Sequence, residues 1–181
     1  MPLRKGVAVT HAIRDATPED VPAITAIYAY HVAHGLASFE TQPPGEAEMR
    51  GRLEAIREKG FAWLVADRGG SIAGFAYASA YRARAAYRFT LEDSVYVHPD
   101  SGGLGVGRAL LARLIARCEA IGCRQLVAVI GDSENAASIR LHASLGFEMA
   151  GTLRAVGWKH RRWVDSVLMQ RSIGPGSDTP P

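Results

Sequence analysis

The segment Ser94-Val95-Tyr96-Val97-His98-Pro99-Asp100-Ser101-Gly102-Gly103-Leu104-Gly105-Val106-Gly107-Arg108 runs an alternating apolar strand through a glycine-rich turn into an amphipathic helix. Glycines at 103, 105 and 107 let the backbone turn tightly and leave bare N–H groups, and the first turn of the helix adds unpaired donors at its positive end. Such a turn cradles a phosphate or pyrophosphate. The same strand begins with two carboxylates, Glu92 and Asp93. Strand alternation places Glu92 on the side of Ser94 and Tyr96 and Asp93 on the other, so that one of the two faces the cleft, with a bulge able to exchange them. A carboxylate there suits a general base, acting directly or through a water.

Two common phosphate folds fail at specific residues. A P-loop needs Gly-Lys-Ser/Thr where the chain has Gly107-Arg108-Ala109, and a dinucleotide fingerprint starting at Gly103 needs a small residue where Arg108 stands. Gln125-Leu126-Val127-Ala128-Val129-Ile130 ends in Gly131, so no acidic residue closes the next strand to hold a ribose.

These residues need a frame. The 181 residues, 48% hydrophobic, suit one globular domain with a core of its own. A loose arm is expected over 1–10, a single domain over 11–172 and a disordered tail over 173–181, where Pro, Gly and small polar residues dominate. No apolar run suits a bilayer span or a secretory leader, and a cytoplasmic protein is expected. Cys118 and Cys123 have no partners at zinc spacing and read as packing residues; no metal is expected. The net charge of +3 is mild. Lys159-His160-Arg161-Arg162 is short and lacks interleaved aromatics, so no nucleic-acid partner is expected.

Periodicity predicts a strand at 12–16, a helix from Pro18 to about Gly35 capped at Thr17, and a polar helix over 45–59. A hairpin of strands at 62–67 and 72–80 follows, then a basic loop at 81–88 and a strand at 89–97. After the glycine turn come a helix ending at Gly122, a buried strand at 126–130, a short helix capped by Ser133-Glu134-Asn135 and reaching Leu145, and strands at about 147–156 and 163–170. This order describes an α/β domain with a mixed central β-sheet and helices on both faces.

The turn resembles the acetyl-CoA loop of the GCN5-related N-acetyltransferases (GNAT), Gln/Arg-x-x-Gly-x-Gly/Ala, over residues 102–107. Gly105 and Gly107 fit; Gly102 stands where the family usually has Gln or Arg, so backbone donors carry more of the binding. Across residues 12–171 the chain is similar to the phosphinothricin and methionine sulfoximine acetyltransferase branch. The matching segments are Ser38-Phe39-Glu40-Thr41, Thr90 to Val97, Val127 to Gly131, Asn135-Ala136-Ala137-Ser138, His142 with Leu145-Gly146-Phe147, and Gly157, Lys159, Trp163 and Asp165. Arg161 departs from it where a turn Gly is usual.

The resemblance implies a GNAT fold and acetyl-CoA as acyl donor. It implies cofactor contacts from Val95, Tyr96 and Val97, from Gly102, Gly103, Leu104, Gly105, Val106 and Gly107, and from Asn135, with Glu92 as base. It also implies an acceptor site from Phe39, Glu40, Arg82, Tyr87 and Arg88, and a homodimer. The basic groups suit an acidic amino-acid-like acceptor, although Arg82, Arg84 and Arg88 also suit a solvated loop. Asn135 and Ser138 open a helix after a buried strand, where polar groups cap backbone or bind the amide-rich pantetheine arm. His142 stands where this fold more often has the Tyr that protonates the thiolate. It suits either that role or a structural hydrogen bond. A backbone N–H of the Val95 to Val97 strand would hold the oxyanion. No Cys or Ser has a convincing base beside it, so direct attack by a small-molecule amine is favoured over an acyl-enzyme. The alternatives are a peptide N-acetyltransferase and a non-catalytic acyl-CoA-binding module.

Overall fold

A computed structural model describes residues 11–181; the expected arm at 1–10 lies outside the described residues. The order is β1 (Ala12–Asp15), α1 (Val21–His34) entered through a 3-10 turn at Pro18–Asp20, α2 (Glu46–Glu58), β2 (Trp63–Arg68) and β3 (Ser71–Ala80). It continues with β4 (Thr90–Val97), α3 (Val106–Ala120), β5 (Gln125–Gly131), α4 (Ala136–Ala143), β6 (Glu148–Lys159) and β7 (Arg162–Ser172). The strands form one seven-stranded sheet in the order β1-β2-β3-β4-β5-β7-β6. Only β4 and β5 pair in parallel. The expected mixed sheet is therefore present.

Helices cover both faces because alternate residues of the central strands are apolar on both. On one side α1 and α2 bury Ile24, Ile27, Val32 and Leu53 against Trp63, Val65 and Phe75. On the other, α3 buries Leu110, Leu111 and Leu114 against Ala76, Leu91, Leu126 and Ala128. Cys118 and Cys123 are free and buried on this second side, as packing residues should be. Before α1, the Asp20 carboxylate accepts from the Thr17 N–H at 2.8 Å and is gripped by Arg14 at 2.7 and 2.8 Å.

Two elements are bounded differently from the sequence reading. The short helix takes its expected cap at Asn135, whose Oδ1 accepts from the Ser138 N–H at 3.2 Å, but it ends at Ala143, short of Leu145. The last hairpin runs to Lys159 and restarts at Arg162, leaving a two-residue turn in which His160 and Arg161 both have positive φ (48° and 62°). This suits a tight hairpin turn and is reached here without glycine. The expected tail over 173–181 contacts the domain. Ile173 is buried and donates to Arg124 O at 3.0 Å, and the Arg124 side chain bonds Gly176 O and Thr179 Oγ1.

Candidate active site

The sheet opens at its centre. β4 and β5 pair only from Thr90↔Gln125 to Asp93↔Ala128, and beyond that point their continuations separate. His98 N donates to Ala73 O on the β3 side. Alternation along β4 therefore turns the N–H and C=O of Val95 and Val97 toward the opening, where no strand pairs with them. His31 Nε2, 2.8 Å from Val97 O, donates to that carbonyl. The Val95 amide and carbonyl are left facing the split.

The glycine turn follows directly. Gly105 has φ 79° and precedes the first residue of α3, a conformation that L side chains rarely adopt. A cleft of about 680 Å³ runs from this turn along the opened strand, walled by Val95, Tyr96, Val97, Gly102, Gly103 and Gly105 and continuing to Val106, Gly107, Asn135 and Ser138. Every expected cofactor position except Leu104 lines it; Leu104 is exposed at the turn.

A second cavity, of about 390 Å³, lies on the α1 side of β4. Its walls include Tyr28, Phe39, Glu40, Tyr77, Glu92 and Ser94. Ala37, Tyr96 and Gly131 belong to both spaces, so the two meet at the split. Phe39 fits because its ring closes on backbone that lacks a side chain: a Cβ on Gly157 would lie 2.5 Å from the ring. Glu40 is held by Tyr28 Oη at 2.9 Å and Arg52 Nη1 at 2.8 Å. Lys159, buried, donates to Ser38 O at 2.6 Å and ties the last hairpin to this loop. Burial lowers its ammonium pKa.

Glu92 enters this second cavity, on the face its parity predicts, and no bulge interrupts the β3–β4 pairing. Burial raises its pKa; the nearby Arg82 charge opposes that and Asp93 adds to it. Arg82, Tyr87 and Arg88, expected in the acceptor site, are exposed on the loop before β4 and are not among the cavity walls. Arg82 lies over the Tyr81 ring at 4.3 Å and Arg88 over Phe89 at 4.4 Å. Of the three, Arg82 is the one whose charge acts on Glu92.

His142 is buried behind β4 with both ring nitrogens engaged, Nε2 at 2.9 Å from Asp93 Oδ2 and Nδ1 at 2.8 Å from Ser138 O. Sequence reasoning missed this pair because the residues are 49 apart. It also missed Tyr28, Ser38, Tyr77 and Ser166 as cavity walls. For these the signal was weak: each reads as an ordinary helix, loop or strand residue.

A split parallel pair with a glycine turn at its mouth, and a carboxylate facing a separate cavity, defines an acyl-transfer scaffold. Residues 24–147 match the model of the acetyltransferase (GNAT) family. The chain belongs to that family. It is 54% identical to a phosphinothricin N-acetyltransferase of Alcaligenes faecalis, over 99% of this chain and 93% of that one. It is 40% identical to an L-methionine sulfoximine/L-methionine sulfone acetyltransferase of Pseudomonas paraeruginosa, over 93% and 98%. The crystal structure of a phosphinothricin acetyltransferase from Sinorhizobium meliloti in complex with AcCoA superposes with a TM-score of 0.92 at 48% identity, covering 95% of this chain and 93% of that one.

Proposed function

We propose that the protein moves acetyl from acetyl-CoA to the amine of a small amino-acid-like acceptor, of the phosphinothricin or methionine sulfoximine type, by direct attack in a ternary complex. The observation that carries this reading is the position of Glu92: a partly buried carboxylate in a separate acceptor cavity that meets the donor cleft at Tyr96 and Gly131. The donor brings an activated acyl carbon. The chain supplies the rest.

The cleft suits a long anionic donor. Gly103 and Gly105, with φ of 73° and 79°, turn backbone N–H groups toward a pyrophosphate at the start of α3. The free edge of β4 offers amide groups to the pantetheine arm, and Asn135 and Ser138 add polar groups from across the split. The Val95 N–H faces the place where a carbonyl oxygen gains charge. Glu92 takes a proton from the acceptor ammonium, and its raised pKa makes it a better base than a solvated carboxylate.

The acceptor cavity favours a small molecule over a peptide, since Phe39, Tyr28, Tyr77 and Tyr96 close around it. Arg82 stands near enough to Glu92 to serve an acceptor carboxylate at the mouth. We also infer a cytoplasmic homodimer. No helix among the described residues is long and apolar enough to cross a membrane. The edge hairpin exposes Leu153, Val156, Trp158 and Trp163, the last 64% exposed, an apolar surface suited to a second copy.

The test is thiol release from acetyl-CoA with phosphinothricin, methionine sulfoximine, common amino acids, polyamines and a peptide, with mass-spectrometric detection of the N-acetyl product. Turnover on a sulfoximine or phosphinate is expected. Turnover on the peptide alone overturns the small-acceptor reading, and tight acetyl-CoA binding without turnover on any amine overturns the enzyme reading.

A further inference from the structure

Three polar groups form a line behind the split. Asp93 Oδ2 on β4 is 2.9 Å from His142 Nε2 on α4, and His142 Nδ1 is 3.4 Å from Ser138 Oγ, one helical turn earlier. Nδ1 is also 2.8 Å from Ser138 O. A carbonyl only accepts, so Nδ1 carries a hydrogen, which Ser138 Oγ is placed to share. Phe147 meets the imidazole edge-on at 5.0 Å and fixes its plane. Asp93 and His142 are 5% and 4% exposed, whereas Ser138 is partly exposed and lines the donor cleft.

The charges around the line are few. On its own strand Asp93 has Glu92, turned to the other face; α3 presents Cys118, whose thiol burial pushes up to about 12 and so keeps neutral; β5 contributes apolar Ala128 and Ile130. Asp93 Oδ1 is buried with no partner among the described residues, beside a cavity of about 40 Å³. Among the described residues His142 is thus the one cationic group placed to balance Asp93. A buried carboxylate left unbalanced is strongly disfavoured. Asp93 Oδ2 and Ser138 O flank the ring as acceptors, so both His142 nitrogens are placed to donate.

We propose that Asp93, His142 and Ser138 form a proton relay in which Asp93 keeps His142 charged and Ser138 is the group that delivers the proton to the departing thiolate. This rests on the acetyl-transfer reading above. As the C–S bond breaks, the Ser138 hydroxyl gives its hydrogen to sulfur and takes one from His142 Nδ1, leaving a neutral imidazole with Nε2–H on the Asp93 carboxylate. As the N–C bond forms, Glu92 takes one of the two protons the ammonium must lose and passes it to solvent. The other restores the imidazolium. One amide, one thiol and one bulk proton result. Asp93 touches no substrate and is a positioning residue.

The direction of the pH effect is fixed by this assignment. Burial lowers the His142 pKa, but the Asp93 hydrogen bond and charge outweigh it and leave it above its ordinary value. The donor form is lost as pH rises through that raised pKa, giving an alkaline limb. Asp93→Asn removes the charge and moves this limb to lower pH. Ser138→Ala lowers kcat about tenfold or more, and Asp93→Asn, which touches no substrate, keeps KM for acetyl-CoA within about threefold.

The deciding experiment joins pH profiles of kcat for wild type, Asp93→Asn and Ser138→Ala with 15N NMR of the wild-type histidines. We expect His142 to keep both ring nitrogens protonated to higher pH than a free histidine does, and an alkaline limb that moves down in Asp93→Asn. Loss of the second ring proton at or below the pH at which a free histidine loses it overturns the ion pair, and needs no variant to fold. An unmoved limb in Asp93→Asn, or unchanged kcat in Ser138→Ala, overturns the relay. Wild type inactive on every amine overturns the acetyl-transfer reading and the relay step with it, while the nitrogen spectrum still decides the ion pair.

Discussion

Glu92 and Asp93 are adjacent carboxylates that the pleat of β4 sends to opposite sides: Glu92 into the cavity on the α1 side, Asp93 to a 2.9 Å contact with His142. We propose Glu92, not Asp93, as the base, because Asp93 is already bonded to His142. The Glu92 pKa is raised chiefly by burial and held down by Arg82. The base acts when deprotonated, so activity should rise with pH through a limb above the ordinary carboxylate range. Arg82→Ala removes the opposing charge and should move this acid limb to higher pH. A pH profile of kcat/KM for the two proteins checks it.

Burial of Glu92 has a second consequence. A folded-state pKa above the unfolded one means that the ionised form destabilises the fold once pH exceeds the unfolded value. Glu92→Gln should therefore melt at a slightly higher temperature than wild type near neutral pH, with the difference vanishing in acid. Thermal unfolding at two pH values checks it.

The turn before α3 makes a sharper demand. Gly105 holds φ 79° at the helix start, with open space where a Cβ would go. The cost of Gly105→Ala is then conformational, about 1 kcal/mol. We expect that loss in denaturant unfolding, together with weaker acetyl-CoA binding as the N–H groups are re-aimed.

The Arg14–Asp20 pair should be visible in acid. Arg14 holds the Asp20 carboxyl below the usual range, helped by the Thr17 N–H and opposed by burial. A depressed folded pKa stabilises above the unfolded pKa, and that contribution is lost as pH falls through the folded value. Asp20→Asn should cost roughly 1–2 kcal/mol near pH 7, limited by the partly exposed Arg14. The gap from wild type should close as pH drops below the carboxylate range.

The homodimer has its own test. Trp163→Glu places a charge on the exposed apolar hairpin. Sedimentation should then report a monomer where wild type sediments as a dimer; a monomeric wild type contradicts the assembly.

Local chemistry made much of this site readable in advance. The parity of β4 and the Asn135 cap follow from spacing within a few residues, and the structure has both; of the turn glycines, Gly103 and Gly105 have positive φ while Gly107 lies inside α3. Contacts between distant segments did not follow. Asp93 with His142 and Lys159 with Ser38 join residues 49 and 121 apart, and nothing in either local pattern announces them. β6 was underdrawn because nearly all of it is exposed, which removes the alternation that marks a strand, and a bulge between Leu153 and Gly157 breaks what remains. Placing Tyr87 and Arg88 beside the acceptor rested on resemblance, and the loop carries both outward.

The role of Glu92 is the centre of the account. The direct measurement is thiol release from acetyl-CoA with a saturating sulfoximine or phosphinate acceptor, wild type against Glu92→Gln, with acetyl-CoA affinity measured on both by calorimetry. The account predicts a kcat about a hundredfold lower in the variant with unchanged acetyl-CoA affinity. Equal rates in the two proteins would contradict it.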